Sequence, residues 1–476
     1  MSKQILIGAL IAMFAVGCAH DDQDARNFTD VATLARERTG AASIRWDRTS
    51  DDAKAIADEV HRLLQSDLSA DSAVQIALLN NRSLQATYED LGIAQADVVQ
   101  AGLMKNPAFD MQIRFPDVAP KLTDLEFSLA EDFLDALMIP ARQKIAAAQF
   151  EATKARVGGA ILDLSANVRQ TYFSLVAARN MLGLQRAALE TTEASAEAER
   201  SLRNAGNVSD LDLLTYESQY QQQRLAYADA EANVADLQEK LTALLGLDEP
   251  TEFKLADELP ALPASDPSSQ QLERAALDQR ADLIAAKQAV EVAARNGGLV
   301  RNTRYIDQLS VGVDSERQTS GQWITGPTIS VPIPLFDQGQ ARVAKALAQV
   351  RQAEQTYNAM RTQIRSDVRR ACKRLETDRL RCTIYRDSIV LTRRKIVDQS
   401  QLFYNGMLLG VFDLLRVKQE ELDANRAYIQ ATRDYWVQYA ELERTIGGRL
   451  TVVPPTTTQV SPAPATQPMT GHEHHH

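Results

Sequence analysis

Residues 202–246 read LRNAGNVSDLDLLTYESQYQQQRLAYADAEANVADLQEKLTALLG, and residues 403–447 read FYNGMLLGVFDLLRVKQEELDANRAYIQATRDYWVQYAELERTIG. Asn204 answers Asn405, the run Asp212-Leu213-Leu214 answers Asp413-Leu414-Leu415, Tyr227 answers Tyr428, and Gly246 answers Gly447. Each pair is separated by the same 201 positions. Upstream, Val168-Arg169 answers Val368-Arg369 and Ala146 answers Ala346 at 200 positions, while Leu84 and Ala86 answer Leu283 and Ala285 at 199. A unit of about two hundred residues has been duplicated, a period far longer than the 20–50 residues of a solenoid.

Each unit contains very long helices. No glycine or proline occurs between Gly339 and Gly406, nor between Gly206 and Gly246. As one helix, Gln340 to Asn405 would span roughly 100 Å, about three times the hydrocarbon thickness of a bilayer. Val343, Leu347, Val350, Ala353, Tyr357, Met360, Ile364 and Val368 recur every three or four residues, which makes one apolar seam opposite a wet face. Such helices pack on neighbours and do not cross a membrane; alone they fit an ordinary coiled coil equally well.

The strands separate these readings. In residues 108–115, Phe109, Met111, Ile113 and Phe115 alternate with Asp110, Gln112 and Arg114. Leu125, Phe127 and Leu129 alternate with Glu126 and Ser128. The second unit repeats the pattern with Leu309, Val311 and Val313, then Trp323, Ile329, Val331, Ile333 and Leu335 at odd positions. Each unit thus offers two strands with one apolar and one polar side, as in a barrel wall. A half-buried soluble sheet has the same alternation, but no further strands are on offer to cover it. Pro332 and Pro334 fall where the last strand has to leave the sheet.

Lys3 precedes an apolar run from Ile5 to Val16, which is signal-peptide length. The run ends Ala15-Val16-Gly17-Cys18, similar to a bacterial lipobox in which the cysteine is acylated and becomes residue one; Ala15 stands where leucine is usual, and Ala19 in place of Asp implies outer-membrane sorting. Cys372 and Cys382 lie ten residues apart, about 15 Å along a helix and out of disulfide reach. The body of the chain carries no CxxC or His/Cys ligand spacing and no clustered catalytic set, so enzyme activity has no support. A net charge of −11 argues against a nucleic-acid partner.

Four strings in order, NNRSLQATYEDLGIAQADVVQAGLMKNPAF (80–109), GPTISVPIPLFDQGQARVAKA (326–346), YNGMLLGVFDLL (404–415) and YWVQYAELERTIGG (435–448), resemble those of TolC-like outer-membrane efflux proteins over about residues 70–448. The resemblance implies a mostly α chain with a transmembrane β portion. Its duplicated unit is two strands plus a long helical hairpin, and a homotrimer forms a twelve-stranded barrel above a helical tunnel. Independently, four strands cannot close a membrane barrel, whose smallest form has eight, so closure must be intermolecular. The expected organisation is a signal peptide at 1–17, a lipid-anchored tether with short helices at 18–69, repeat one at 70–250, a linker at 251–269, repeat two at 270–449 and a Pro/Thr-rich tail at 450–476.

The resemblance also implies passive conduction from a periplasmic adaptor and an inner-membrane proton-driven pump, out through outer-membrane lipid. Asp110, Gln112, Arg114 and Asp314 would line the barrel lumen, with Phe109, Phe115, Phe127 and Trp323 towards lipid. Asn204, Gly206, Asn405 and Gly406 would break the hairpins at the periplasmic aperture, where the adaptor docks. Asp210, Asp212 and Asp413 follow; acids there cap or charge a helix N-terminus, and rings of them on a narrow axis would favour cations. Arg416 stands where the family can carry a second acid, and would instead pair with an acid to hold the aperture shut.

No cofactor is required, but the tail ends in His472, His474, His475 and His476, which suit Cu, Zn or Ni. With the stretch ALMIPARQKIAAA (136–148), similar to the metal-efflux branch, that tail points to heavy-metal export. Drug or dye efflux, type I secretion, and a poreless structural coiled-coil lipoprotein are the alternatives.

Overall fold

A computed structural model describes residues 21–450 apart from 116, 119–121, 250 and 306–308. The duplication is visible in the order of elements. Two leading helices, α1 (Asp21–Thr39) and α2 (Ser50–Leu64), precede the first unit: α3 (Ala70–Asn80), α4 (Arg82–Gly102), β1 (Ala108–Arg114), β2 (Asp124–Asp132), α5 (Phe133–Asn204) and α6 (Asp210–Leu245). The second unit follows as α7 (Ser269–Gln279), α8 (Ala281–Asn302), β3 (Ser310–Arg317), β4 (Trp323–Ser330), α9 (Gln340–Ile384), a π-helical turn (Tyr385–Ile389), α10 (Val390–Asn405) and α11 (Val411–Ile446). The 72-residue α5 runs about 108 Å at 1.5 Å per residue. No described helix is long and apolar enough to cross a membrane.

The four strands form one antiparallel sheet in sequence order, β1-β2-β3-β4, leaving β1 and β4 as open edges. The expected strand continuing through Val331, Ile333 and Leu335 instead stops at Ser330. Pro332 and Pro334 cannot donate to a ladder and fix their own φ, so the alternation outlives the pairing. Pro327 is tolerated inside β4 because that strand is an edge.

Below the sheet, two apolar cores pack around the long helices. In the first, Val168, Leu175, Leu241 and Leu245 are fully buried; in the second their duplicates Val368, Leu375, Leu442 and Ile446 are buried. Trp436 touches both clusters. The segment joining the units is clamped twice by duplicated arginines. Arg179 donates to the Phe253 carbonyl at 3.0 Å, and Arg379 donates to the Pro263 carbonyl at 2.7 Å and to both Asp266 oxygens at 2.6 Å. The leading segment is also held: Phe28 packs between Trp46 and Tyr88, and Arg169 donates to the Thr39 carbonyl at 3.0 Å and to Asp71 at 2.7 Å. Glu443, buried beside Arg169, has its carboxyl pushed up by desolvation, which Arg169 opposes.

Both units end alike. Gly246 and Gly447 terminate α6 and α11 in the left-handed region, at φ +70° and +80°. A Cβ on Gly246 would sit 2.4 Å from the Asn80 carbonyl oxygen, whereas nothing lies within 4 Å of one on Gly206. Gly206→Ala is therefore expected to cost about 1–2 kcal/mol of left-handed strain. Gly246→Ala should cost clearly more, because backbone must move; thermal unfolding of the two variants side by side checks this order.

Candidate functional site: sheet faces and hairpin tips

The register sorts the sheet into two chemistries. Asp110 pairs with Ser128, which pairs with Asp314, and Gln112 pairs with Glu126, which pairs with Glu316. Directly paired residues share a face, so Asp110, Gln112, Arg114 and Asp314 lie together, joined by Asp124, Glu126, Asp132 and Glu316. Arg114 is not a free cation: it donates to Glu126 at 2.6 Å and lies 3.5 Å from Asp124. That leaves the face dominated by acids. The opposite face carries Phe109, Phe127 and Trp323 as a stacked ladder, with ring centroids 6.3 and 6.2 Å apart. Its two hydroxyls, Ser315 and Thr325, satisfy each other at 2.8 Å. Phe109 and Trp323 are 64% and 52% exposed, so the chain alone does not cover this face.

The far ends of the hairpins are built by matching turns. After Asn204 closes α5, Gly206 at φ +78° donates to the Arg203 carbonyl and Asn207 donates to the Leu202 carbonyl, both at 2.9 Å. At the equivalent place Met407 donates to Tyr404 at 2.9 Å and Leu408 to Phe403 at 2.8 Å. The duplication aligns Gly206 with Met407, not with Gly406. Accordingly Gly406 has an ordinary φ of −83°, and Met407 takes the left-handed φ of +58°, unlike any other non-glycine among the described residues. Asn405 ends α10 and Gly406 caps it, its N–H donating to the Leu402 carbonyl at 3.0 Å, as expected; the left-handed position falls one residue later, at Met407.

The tip acids divide their roles. Ser209 caps α6 and Asp212 returns the bond, its carboxylate accepting from the Ser209 backbone N–H at 3.2 Å, which makes Asp212 half of a capping box. Asp210 accepts from Arg203 at 2.5 Å, and that guanidinium holds its carboxyl below the usual range. Asp413 lies in the first turn of α11 and makes no side-chain cap bond. Arg416 reaches Asp413 at 3.6 Å and Glu420 at 3.0 Å, and Glu420 also pairs with Arg393 of α10, so an ion-pair ladder ties the two arms of this hairpin. Between the two hairpins, Tyr216 is buried with its ring 6.0 Å from Phe412; burial first, then nearby Glu199, Tyr404 and Asp212, push its hydroxyl up to about 12. Farther up, Arg426 of α11 donates at 2.7 Å to Gln185, which is bonded to Gln223 at 2.6 Å.

Sequence reasoning missed Glu316 and Asp132, which share the polar phase of Asp314 and Glu126 by alternation but lie near the ends of β3 and β2, where the extent of pairing is not visible in sequence. It also missed the apolar tip formed by Leu211, Leu214, Met407 and Leu408, all exposed; large apolar residues at helix-turn positions were the available signal. Cys18, His472, His474, His475 and His476 lie outside the described residues. Among the described residues no group of His, Cys, Asp or Glu is arranged to hold a metal ion.

The model of the family described as "Outer membrane efflux protein" matches residues 73–247 and 272–448, one stretch per unit. The chain belongs to that family. It is 24% identical over 371 residues to the cobalt-zinc-cadmium resistance protein CzcC of Cupriavidus metallidurans, covering 77% of this chain and 85% of that protein. Two solved structures share the fold. One is CusC, described as forming a transmembrane channel, with TM-score 0.64, 18% identity and coverage of 87% of this chain and 96% of that one. The other is the open state of the Neisseria gonorrhoeae MtrE outer membrane channel, with TM-score 0.66, 18% identity and coverage of 81% and 89%.

Met407→Gly is expected to stabilise the second tip by about 1 kcal/mol, through removal of left-handed strain. Slower amide exchange of residues 400–412 checks it; unchanged or faster exchange would show that Met407 adopts its φ without cost.

Proposed function

We propose that the protein is an outer-membrane exit duct of a tripartite efflux system, conducting heavy-metal cations passively to the exterior. The observation that carries this reading is the sheet: two open edges, one acidic face and one uncovered aromatic face, set above hairpins about 100 Å long. In lipid, unpaired edges cost several kcal/mol per group, so the edges demand further copies of the chain. Three copies give twelve strands, the aromatic face meets lipid, and the acidic face lines a water-filled lumen that favours cations.

The tips then point into the periplasm, where the exposed Leu211, Leu214, Met407 and Leu408 suit the end of an adaptor hairpin, which in turn sits on an inner-membrane proton-driven pump. Acylation of Cys18 anchors the leading segment to the outer membrane. Metal as cargo is supported by the similarity to a cobalt-zinc-cadmium resistance protein and by the histidine-rich tail, which would gather Cu, Zn or Ni at neutral pH.

A deletion strain grown across copper, silver, zinc, cobalt, nickel, dyes and antibiotics tests the cargo. Sensitivity limited to metals and restored by the full chain is expected; sensitivity to dyes and antibiotics instead would make this a drug duct. A chain stopping before Gly471 should restore tolerance incompletely if the tail gathers metal. In planar bilayers, Arg114→Gln should shift the reversal potential further towards cation preference, since Glu126 and Asp124 lose their counter-charge; an unchanged potential would place this face away from the ion path.

A further inference from the structure

Along the long hairpins that follow the strands, the two units fall out of phase at one place. Val168 and Val368, Leu175 and Leu375, and the clamping Arg179 and Arg379 are 200 residues apart, whereas Asn204 and Asn405, Leu241 and Leu442, and Gly246 and Gly447 are 201 apart. One extra residue has therefore entered the second unit between Arg379 and Asn405. In that interval the structure holds its one π turn among the described residues, Tyr385–Ile389, where the Val390 N–H reaches back five residues to the Tyr385 carbonyl. The matching stretch of α5 is uninterrupted α-helix.

An extra residue in an α-helix turns everything after it by about 100° and advances it by about 1.5 Å. A π turn absorbs that residue locally and keeps the downstream face in phase. Here it keeps α10 aligned with its counterpart in α5. The turn divides the helix into unlike parts. On its upper side Ile364, Val368, Leu375 and Cys382 are buried in the second core. Within the turn and along the whole of α10 no residue is buried. Rotation of α10 would thus uncover no buried residue of its own. The named tie it would break is the ion pair from Arg393 to Glu420, which Arg416 shares.

We propose that the π turn at Tyr385–Ile389 is the pivot of the aperture: when it tightens to α-helix, α10 rotates by about 100° against the anchored α9 and re-aims the Phe403–Met407 tip. This rests on the duct reading above. The π form with the Arg393–Glu420 pair made is the closed phase, and the α form with the pair broken is the open one. The first hairpin has no such turn, so it serves as the fixed frame.

Single-channel recording of the full-length protein in planar bilayers, with deletion of Asp387, tests the pivot. Removing the surplus residue leaves continuous α-helix with α10 held in the described phase. The deletion should assemble as the wild type does yet almost never enter the open level. Glu420→Gln acts in the opposite direction and should raise the open fraction about two- to fivefold, the range that loss of an exposed ion pair produces. Should the deletion fail to assemble, Glu420→Gln decides alone: an unchanged open fraction overturns the pivot. A conducting wild type whose gating the Asp387 deletion leaves unaltered also overturns the pivot and leaves the duct standing. A wild type without conductance overturns the duct reading, and the pivot with it.

Discussion

The hydrogen-bonding demand of two open strand edges governs the rest of the molecule. A backbone N–H or C=O in hydrocarbon has no water to turn to, so β1 and β4 cannot remain edges in a membrane. The uncovered aromatic ladder and the acidic opposite face become intelligible once those edges are joined by other copies of the chain.

Duplication supplies the strands economically, and the departures from it are where the two units differ mechanically. The cores repeat at Val168 and Val368, Leu175 and Leu375, Leu241 and Leu442, and Leu245 and Ile446, as do the αL glycines that end α6 and α11 and the arginines that clamp the inter-unit segment. The lower second hairpin does not repeat: it carries the π turn, a left-handed methionine in place of glycine, and an ion-pair ladder in place of the Arg203–Asp210 pair. The left-handed Met407 and an α10 without a buried residue are features of the second hairpin, the one proposed to move.

Much of this was legible in the sequence for reasons of period. Strand faces follow a period of two, so Asp110, Gln112, Arg114 and Asp314 could be put on one side without coordinates. The absence of glycine and proline declares α6 and the run from α9 to α10, but not α5, which continues through Pro140, Gly158, Gly159 and Gly183. What could not be read depends on partners remote in sequence. Register decides that Glu126 falls opposite Gln112, within reach of Arg114, and neutralises it. Gly406 caps α10 as its type suggests, but the left-handed φ beyond it belongs to Met407, the residue that the duplication aligns with Gly206. The shift from 200 to 201 was visible as arithmetic; whether a helix rotates or bulges to absorb a residue is a question of packing. Asp210 and Asp212 both lie in the first turn of α6 as read, Asp212 returning the cap bond and Asp210 also accepting from Arg203.

The central claim is that copies of this chain close one another's sheet. Native mass spectrometry of the protein extracted from outer membranes in mild detergent measures it directly. The account predicts one dominant species at three times the 52.6 kDa chain mass, apart from processing and lipid. A dominant monomer that remains folded and membrane-inserted would contradict it, because the edges of β1 and β4 would then be stable without a partner.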